Sequence, residues 1–184
     1  TATIFMVDAS GSQALNRLAE VKGAVELLLS DSYVRREQVA LVTFRGREAE
    51  LALPATRSLV RARRTLAGMI GGGGTPLALG LVEGLRTGLR LRSDSLSPRL
   101  VLLTDGRPNV DREGQGGRAQ AREDALQAAR IIRGHSFPGL VLDTSPRGEA
   151  FAAQLADAMG VPHLHLPRAD ARHVRAAIGV LEGR

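Results

Sequence analysis

Ile4-Phe5-Met6-Val7 runs straight into Asp8-Ala9-Ser10-Gly11-Ser12, and this stretch decides the fold. An unbroken apolar run of this kind reads as a buried strand. At its exit it delivers one carboxylate and two hydroxyls, an oxygen-rich cup suited to a hard cation. Two more segments can complete the cup. Gly71 to Gly74 permit close backbone approach and then present the Thr75 hydroxyl, and Leu100-Val101-Leu102-Leu103-Thr104-Asp105 is a second apolar strand that ends in a carboxylate. The candidate metal ligands are therefore Asp8, Ser10, Ser12, Thr75 and Asp105. Two carboxylates balance a divalent ion, and three neutral hydroxyls leave it electrophilic enough to seek a further anionic oxygen. Such a site is suited to binding acidic side chains. Oxygen donors accept Mg²⁺, Mn²⁺ or Ca²⁺, so the ion stays open at this point.

Outward from that stretch, strands and helices alternate. Residues 2 to 7 read as a strand, and Leu15, Leu18, Val21, Val25 and Leu28 recur at helical spacing to about residue 31. Val39 to Phe44 is a second apolar strand, and Glu48 to Leu53 reads as a hairpin-linked edge strand ended by Pro54. Helices are expected at about 57–69 and 77–91, the second with Leu77, Leu81 and Leu85 on one stripe. A strand at 99–104, a long loop and a helix at about 118–133 follow. Strands at 140–142 and 161–166 each precede a helix, at about 148–159 and 170–182. The fold class expected is α/β: a Rossmann-like, doubly wound, mostly parallel sheet of about six strands with one antiparallel edge strand and helices on both faces. Ligands in such folds bind beyond the carboxyl ends of the strands, where Asp8 and Asp105 sit.

The 184 residues suit one domain, and no linker or repeat divides them. The chain begins inside a strand without a signal-like segment, so residues 1–184 are read as a single domain excised from a longer protein. Cysteine is absent, which removes thiolate chemistry and fits a reducing, cytoplasmic setting. No apolar run approaches membrane-spanning length. The net charge of +6 comes from 25 basic residues, all arginine except Lys22. Aromatics are too few for nucleic-acid stacking. The cluster Arg57, Arg61, Arg63 and Arg64 reads as a solvated face or a surface for an acidic protein rather than a DNA groove.

Other chemistries lack their parts. The Gly71–Gly74 tract leads to Thr75-Pro76 with no lysine, so a P-loop is excluded. Ser10 lacks a nucleophile elbow, and no histidine lies nearby in sequence to activate it. His163 and His165 share a strand face and read as packing or interface residues. Asp143-Thr144-Ser145-Pro146 reads as a turn and cap for the next helix, the alternative being oxygens that support the rim's ligands from behind.

The motif D-x-S-x-S at 8–12, a distant Thr75 and a distant Asp105 resemble the metal-ion-dependent adhesion site of von Willebrand factor type A domains. That resemblance implies direct ligation by Ser10, Ser12 and Thr75, with Asp8 and Asp105 acting directly or through water, and one coordination position left for a partner's Asp or Glu. Val39 to Gly46, Leu53 to Ser58, Gly72 to Leu77, Leu103 to Asn109 and Val141 to Pro146 further resemble the carboxy-terminal domain of the D-type subunits of magnesium chelatase, across nearly the whole chain. The family's complex inserts Mg²⁺ into protoporphyrin IX for chlorophyll and bacteriochlorophyll synthesis, a ligase reaction forming metal–nitrogen bonds. In it this domain follows an ATPase-like module and an acidic, proline-rich linker. The resemblance implies a non-catalytic interaction module whose partners are the AAA+ ATPase subunit and the porphyrin-binding subunit, with Mg²⁺ as cofactor. Cobalt chelatase, another AAA+ partner protein and a metal-dependent hydrolase are the alternatives. The loop 107–118, rich in glycine and charge, is expected to be mobile, with Arg107, Arg112 and Arg118 as candidate partner contacts.

Overall fold

The computed structural model of the chain describes residues 1–11, 14–167 and 171–183. The elements in chain order are β1 (Ala2–Asp8), α1 (Ala14–Val34), β2 (Gln38–Arg45), β3 (Glu48–Thr56), α2 (Leu59–Ala67), α3 (Leu77–Ser93), β4 (Pro98–Thr104), α4 (Arg118–Gly134), β5 (Gly139–Asp143), α5 (Ala150–Met159), β6 (His163–His165) and α6 (Ala171–Leu181). They form one six-stranded sheet of order β3-β2-β1-β4-β5-β6. Every pairing is parallel except β2 with β3.

The apolar runs lie at the centre of this sheet because successive residues serve opposite faces and both faces are covered. Ile4, Met6, Val42, Leu100 and Leu102 pack toward α3, α4 and α5, with Leu81, Ile132, Phe151 and Leu155 among their neighbours. Phe5, Val7, Leu41, Val101 and Leu103 pack in a second cluster with Val25 and Leu29 of α1, Ala62 and Leu66 of α2, and Val174 of α6. Each of the large side chains so buried contributes roughly 1.5–3 kcal/mol. β1 and β4, the two strands that end at the candidate site, are both buried between these two clusters.

Helix α3 approaches the sheet along glycines rather than along the leucine stripe alone. A Cβ on Gly80 would lie 2.4 Å from Phe44 Cδ1, and one on Gly84 would lie 2.0 Å from Met6 Sδ. Leu77 and Leu81 are buried as the stripe requires, while Leu85 is only partly covered.

Several boundaries differ from the sequence expectation, and three have an evident physical reason or bear on the sheet edge. Pro54 does not end β3, which continues to Thr56. The strand is at the sheet edge, and its register against β2 slips twice, between Val39 and Leu41 and between Leu41 and Val42. Such bulges and an outer edge tolerate a residue without an N–H. Helix α2 starts at Leu59 instead of 57, because Ser58 Oγ accepts from the Arg61 N–H at 3.2 Å and caps it. Strand β6 is confined to residues 163–165. Among the described residues no helix is long and apolar enough to cross a membrane.

Candidate metal centre

The strand order reverses direction between β1 and β4, and the crevice beyond their carboxyl ends is where α/β sheets bind ligands. Asp8 closes β1 there. Its Oδ1 accepts from the Ser10 N–H at 3.0 Å and from the Ser10 hydroxyl, and its Oδ2 accepts from Thr104 Oγ1 at 3.0 Å. Thr104 Oγ1 in turn accepts from the Gly106 N–H at 3.1 Å. Ser10 Oγ lies 2.5 Å from Thr75 Oγ1, although 65 residues separate them. Since Ser10 donates to Asp8, the proton between the two hydroxyls is supplied by Thr75. Asp105 follows Thr104 directly, and its Oδ1 accepts from the Arg107 N–H at 3.1 Å. Asp8, Ser10, Asp105 and Thr144 line a cleft of about 20 Å³ together with Leu18 and Val21 of α1. That is room for one water-sized species.

The loops are fixed to one another by backbone bonds. Gly72 N–H donates to Ala9 O at 2.9 Å, Gly11 N–H to Gly73 O at 3.2 Å and Gly46 N–H to Gly74 O at 2.8 Å. The glycine tract is needed in two ways. Gly72 adopts φ +114°, and a Cβ on Gly74 would meet Val110 Cγ2 at 2.6 Å. Thr75 is then pinned by its own N–H, which donates to Asn109 Oδ1 at 2.7 Å.

The electrostatics favour a cation. Burial, reinforced by the neighbouring Asp105 carboxylate, raises Asp8 from 3.8 to about 7, against the opposing hydrogen bonds from Ser10 and Thr104. Two carboxylates held this close in a desolvated cleft repel each other, and a divalent ion relieves that repulsion. Among the described residues no group of three or more His, Cys, Asp or Glu gathers. The donor set is hydroxyl and carboxylate oxygen, which fits Mg²⁺, Mn²⁺ or Ca²⁺ and not a soft metal.

Four of the five sequence-derived ligands, Asp8, Ser10, Thr75 and Asp105, are placed at this one rim. Ser12 lies outside the described residues. Thr104, Asn109 and Thr144 are supporting residues that the ligand pattern did not single out, and only their positions beside Asp105 and at the end of β5 gave any signal. Asp143 caps a turn: its Oδ1 accepts from Ser145 N–H at 2.9 Å and its Oδ2 from Glu149 N–H at 2.6 Å. His165 Nε2 contacts Ser145 O at 2.6 Å, and His163 Nε2 is 3.9 Å from Asp143 Oδ2.

The loop after Asp105 has more local structure than its composition announces. It folds into a small hairpin through a Val110–Gly116 bridge, with Asp111 Oδ1 accepting from Glu113 and Gln115 N–H groups at 2.9 Å each. Arg107 is paired with Glu149 at 3.2 Å, and Arg112 Nη1 donates to Gln127 Oε1 at 3.2 Å. Arg118 is exposed at the start of α4.

The sequence profile of the von Willebrand factor type A domain matches residues 3–107, a span that contains all five candidate ligand positions. The chain belongs to this family. Solved type A domains share its fold: that of SpRpn10 superposes with a TM-score of 0.72 at 10% identity, covering 97% of this chain and 93% of that one. This type A domain is also 53% identical over 180 residues to the magnesium-chelatase 60 kDa subunit of Cereibacter sphaeroides, covering 98% of the chain but 32% of the relative. A chain in a cryo-EM-based structure of the complex between subunits BchI and BchD of magnesium chelatase is 34% identical, with a TM-score of 0.55, over 97% of this chain and 92% of that one. The domain thus spans about a third of the length of the curated chelatase subunit it matches.

Proposed function

We propose that this domain is the metal-dependent interaction module of a magnesium chelatase D-type subunit. In this reading Asp8, Ser10, Ser12, Thr75 and Asp105 hold Mg²⁺, which when bound supplies a Lewis-acidic site for one more carboxylate oxygen. The carboxylate belongs to the AAA+ ATPase subunit or to the porphyrin-binding subunit, and its capture couples ATP-driven movement to insertion of Mg²⁺ into protoporphyrin IX. The domain itself contributes binding and orientation: Asp8 and Asp105 supply charge, the hydroxyls shape the donor set, and Thr104 and Asn109 hold Asp8 and Thr75 in place.

The observation that carries this reading is the 2.5 Å approach of Ser10 and Thr75 hydroxyls beside Asp8, in a chain so similar to a chelatase subunit. A hydrolase has less support, because Asp8, the carboxylate to which the Ser10 hydroxyl donates, is in this reading committed to the metal and not free to act as a general base. The test replaces Asp8 or Asp105 by Ala in the full-length subunit and measures complex assembly and chelatase activity. Loss of both with either substitution is expected. Wild-type assembly and activity in both variants would overturn the proposal.

A further inference from the structure

The end of the sheet opposite the metal rim carries a second surface. Gln38 pairs with Ala2 and Thr56 with Val39, so the end of α1, the start of β2 and the start of α2 meet at this end. Tyr33, Val34, Arg36, Glu37 and Arg57 line a cleft there of about 600 Å³. Tyr33 is 56% exposed, Val34 79% and Val60 68%, an unusual concentration of apolar surface next to charge. Arg57 stands just ahead of the α2 cap Ser58, and Arg61 and Arg64, three apart on α2, continue the exposed positive charge as a short stripe away from the cleft.

The charge balance of this surface is one-sided. Glu37 is already engaged by Arg99 at 3.5 Å, by Arg35 at 3.6 Å and by the Thr3 hydroxyl at 3.3 Å. Asp31 is held by Arg35, and Glu26 by Arg63 at 3.3 Å. Among the described residues Arg36, Arg57, Arg61 and Arg64 have no such partner, and all four are exposed. Arg36 is also costly where it is. It occupies the left-handed position that ends α1, at φ 57°, with its N–H donating to Tyr33 O and the Glu37 N–H donating to Ser32 O. Glycine is the residue that fits that position without strain.

We propose that this cleft and stripe bind an acidic polypeptide segment, with an apolar side chain seated against Tyr33 and Val34 and carboxylates paired to Arg36, Arg57 and Arg61. Two exposed apolar side chains flanked by guanidiniums without carboxylate partners suit such a segment, since Arg pairs carboxylates in bidentate fashion. One tyrosine is too little aromatic surface for tracking single-stranded nucleic acid. Tyr33, Val34 and Val60 are too small an apolar face to hold the domain in a membrane surface.

The test uses fluorescence anisotropy of a labelled peptide of aspartate and glutamate around one phenylalanine, titrated with the 184-residue domain in EDTA. Saturable binding is expected, weakened at least tenfold by Arg57→Glu combined with Arg61→Glu and unchanged by Asp8→Ala. Arg36→Gly is expected to weaken binding while Tm does not fall, which separates loss of the contact from loss of fold. The proposal is overturned if the peptide does not bind, if Asp8→Ala abolishes binding, or if the arginine substitutions leave it intact. It is equally overturned if a single-stranded oligonucleotide or phosphatidylserine vesicles bind more tightly at the same arginines.

Discussion

Replacing Asp8 by Asn in the absence of divalent ions should make the domain more stable at alkaline pH while destroying its response to Mg²⁺. Burial and Asp105 raise Asp8 from 3.8 to about 7, so the folded state keeps a proton that the unfolded chain releases near pH 4. Its contribution to stability is therefore fully present below about pH 4 and is lost as pH rises through about 7. Between about pH 5 and about pH 8 the loss amounts to about 2 to 3 kcal/mol, or about 5 to 10 °C in Tm for a domain of this length. Asparagine keeps an acceptor for Ser10 and offers an N–H₂ to Thr104 Oγ1, without a charge to repel Asp105. Thermal unfolding followed by circular dichroism in EDTA should show the two proteins close at pH 5 and the variant progressively ahead toward pH 8. Mg²⁺ at a hundredfold excess over its Kd should then add about 2.7 kcal/mol to the wild type and nothing to the variant. If the gap stays flat across that pH range in EDTA, Asp8 and Asp105 do not share a desolvated cleft, and their electrostatics give no reason for a cation there.

Thr75→Ala and Asp105→Ala should each remove the Mg²⁺-dependent rise in Tm at pH 8 while leaving the domain folded by circular dichroism. Gly139→Ala should cost about 2 to 3 kcal/mol in a denaturant titration, because its Cβ would stand 2.3 Å from Leu100 O, a backbone atom of the neighbouring strand. Asp143→Ala strands the N–H groups of Ser145 and Glu149 in a buried turn and should destabilise by about 2 to 4 kcal/mol in the same assay. Arg36→Gly should stabilise by about 1 kcal/mol through relief of its left-handed backbone, read as a higher Tm.

The rim was legible in the sequence because its parts sit at the ends of apolar runs, and buried parallel strands bring such ends together. Asp8 and Asp105 follow from that alone; Thr75 follows from the glycines ahead of it, which only a close loop-to-loop approach requires. Thr104 and Asn109 were harder to see. Their roles depend on which carboxylate and which N–H they face, and that is set by tertiary placement rather than by residue type. Pro54 misled for a related reason, since a proline that would end an interior strand is harmless on an edge whose register has already slipped. The glycines of α3 escaped a reading based on apolar periodicity, which registers side chains that fill space and not residues that surrender it to Met6 and Phe44. Asp111 likewise turned an apparently loose loop into a hairpin through two backbone donors that lie close by in sequence.

The two margins of the sheet bear on how this domain behaves at high concentration. On one side β3 carries a proline, two bulges and exposed glutamates at positions 48 and 50; on the other β6 has three residues. Neither margin offers a long, regular ladder of free peptide groups on which a neighbouring molecule can zip up. Copies held side by side at high local concentration can therefore touch through their loops and helices without fusing into a continuous, irreversible β-structure.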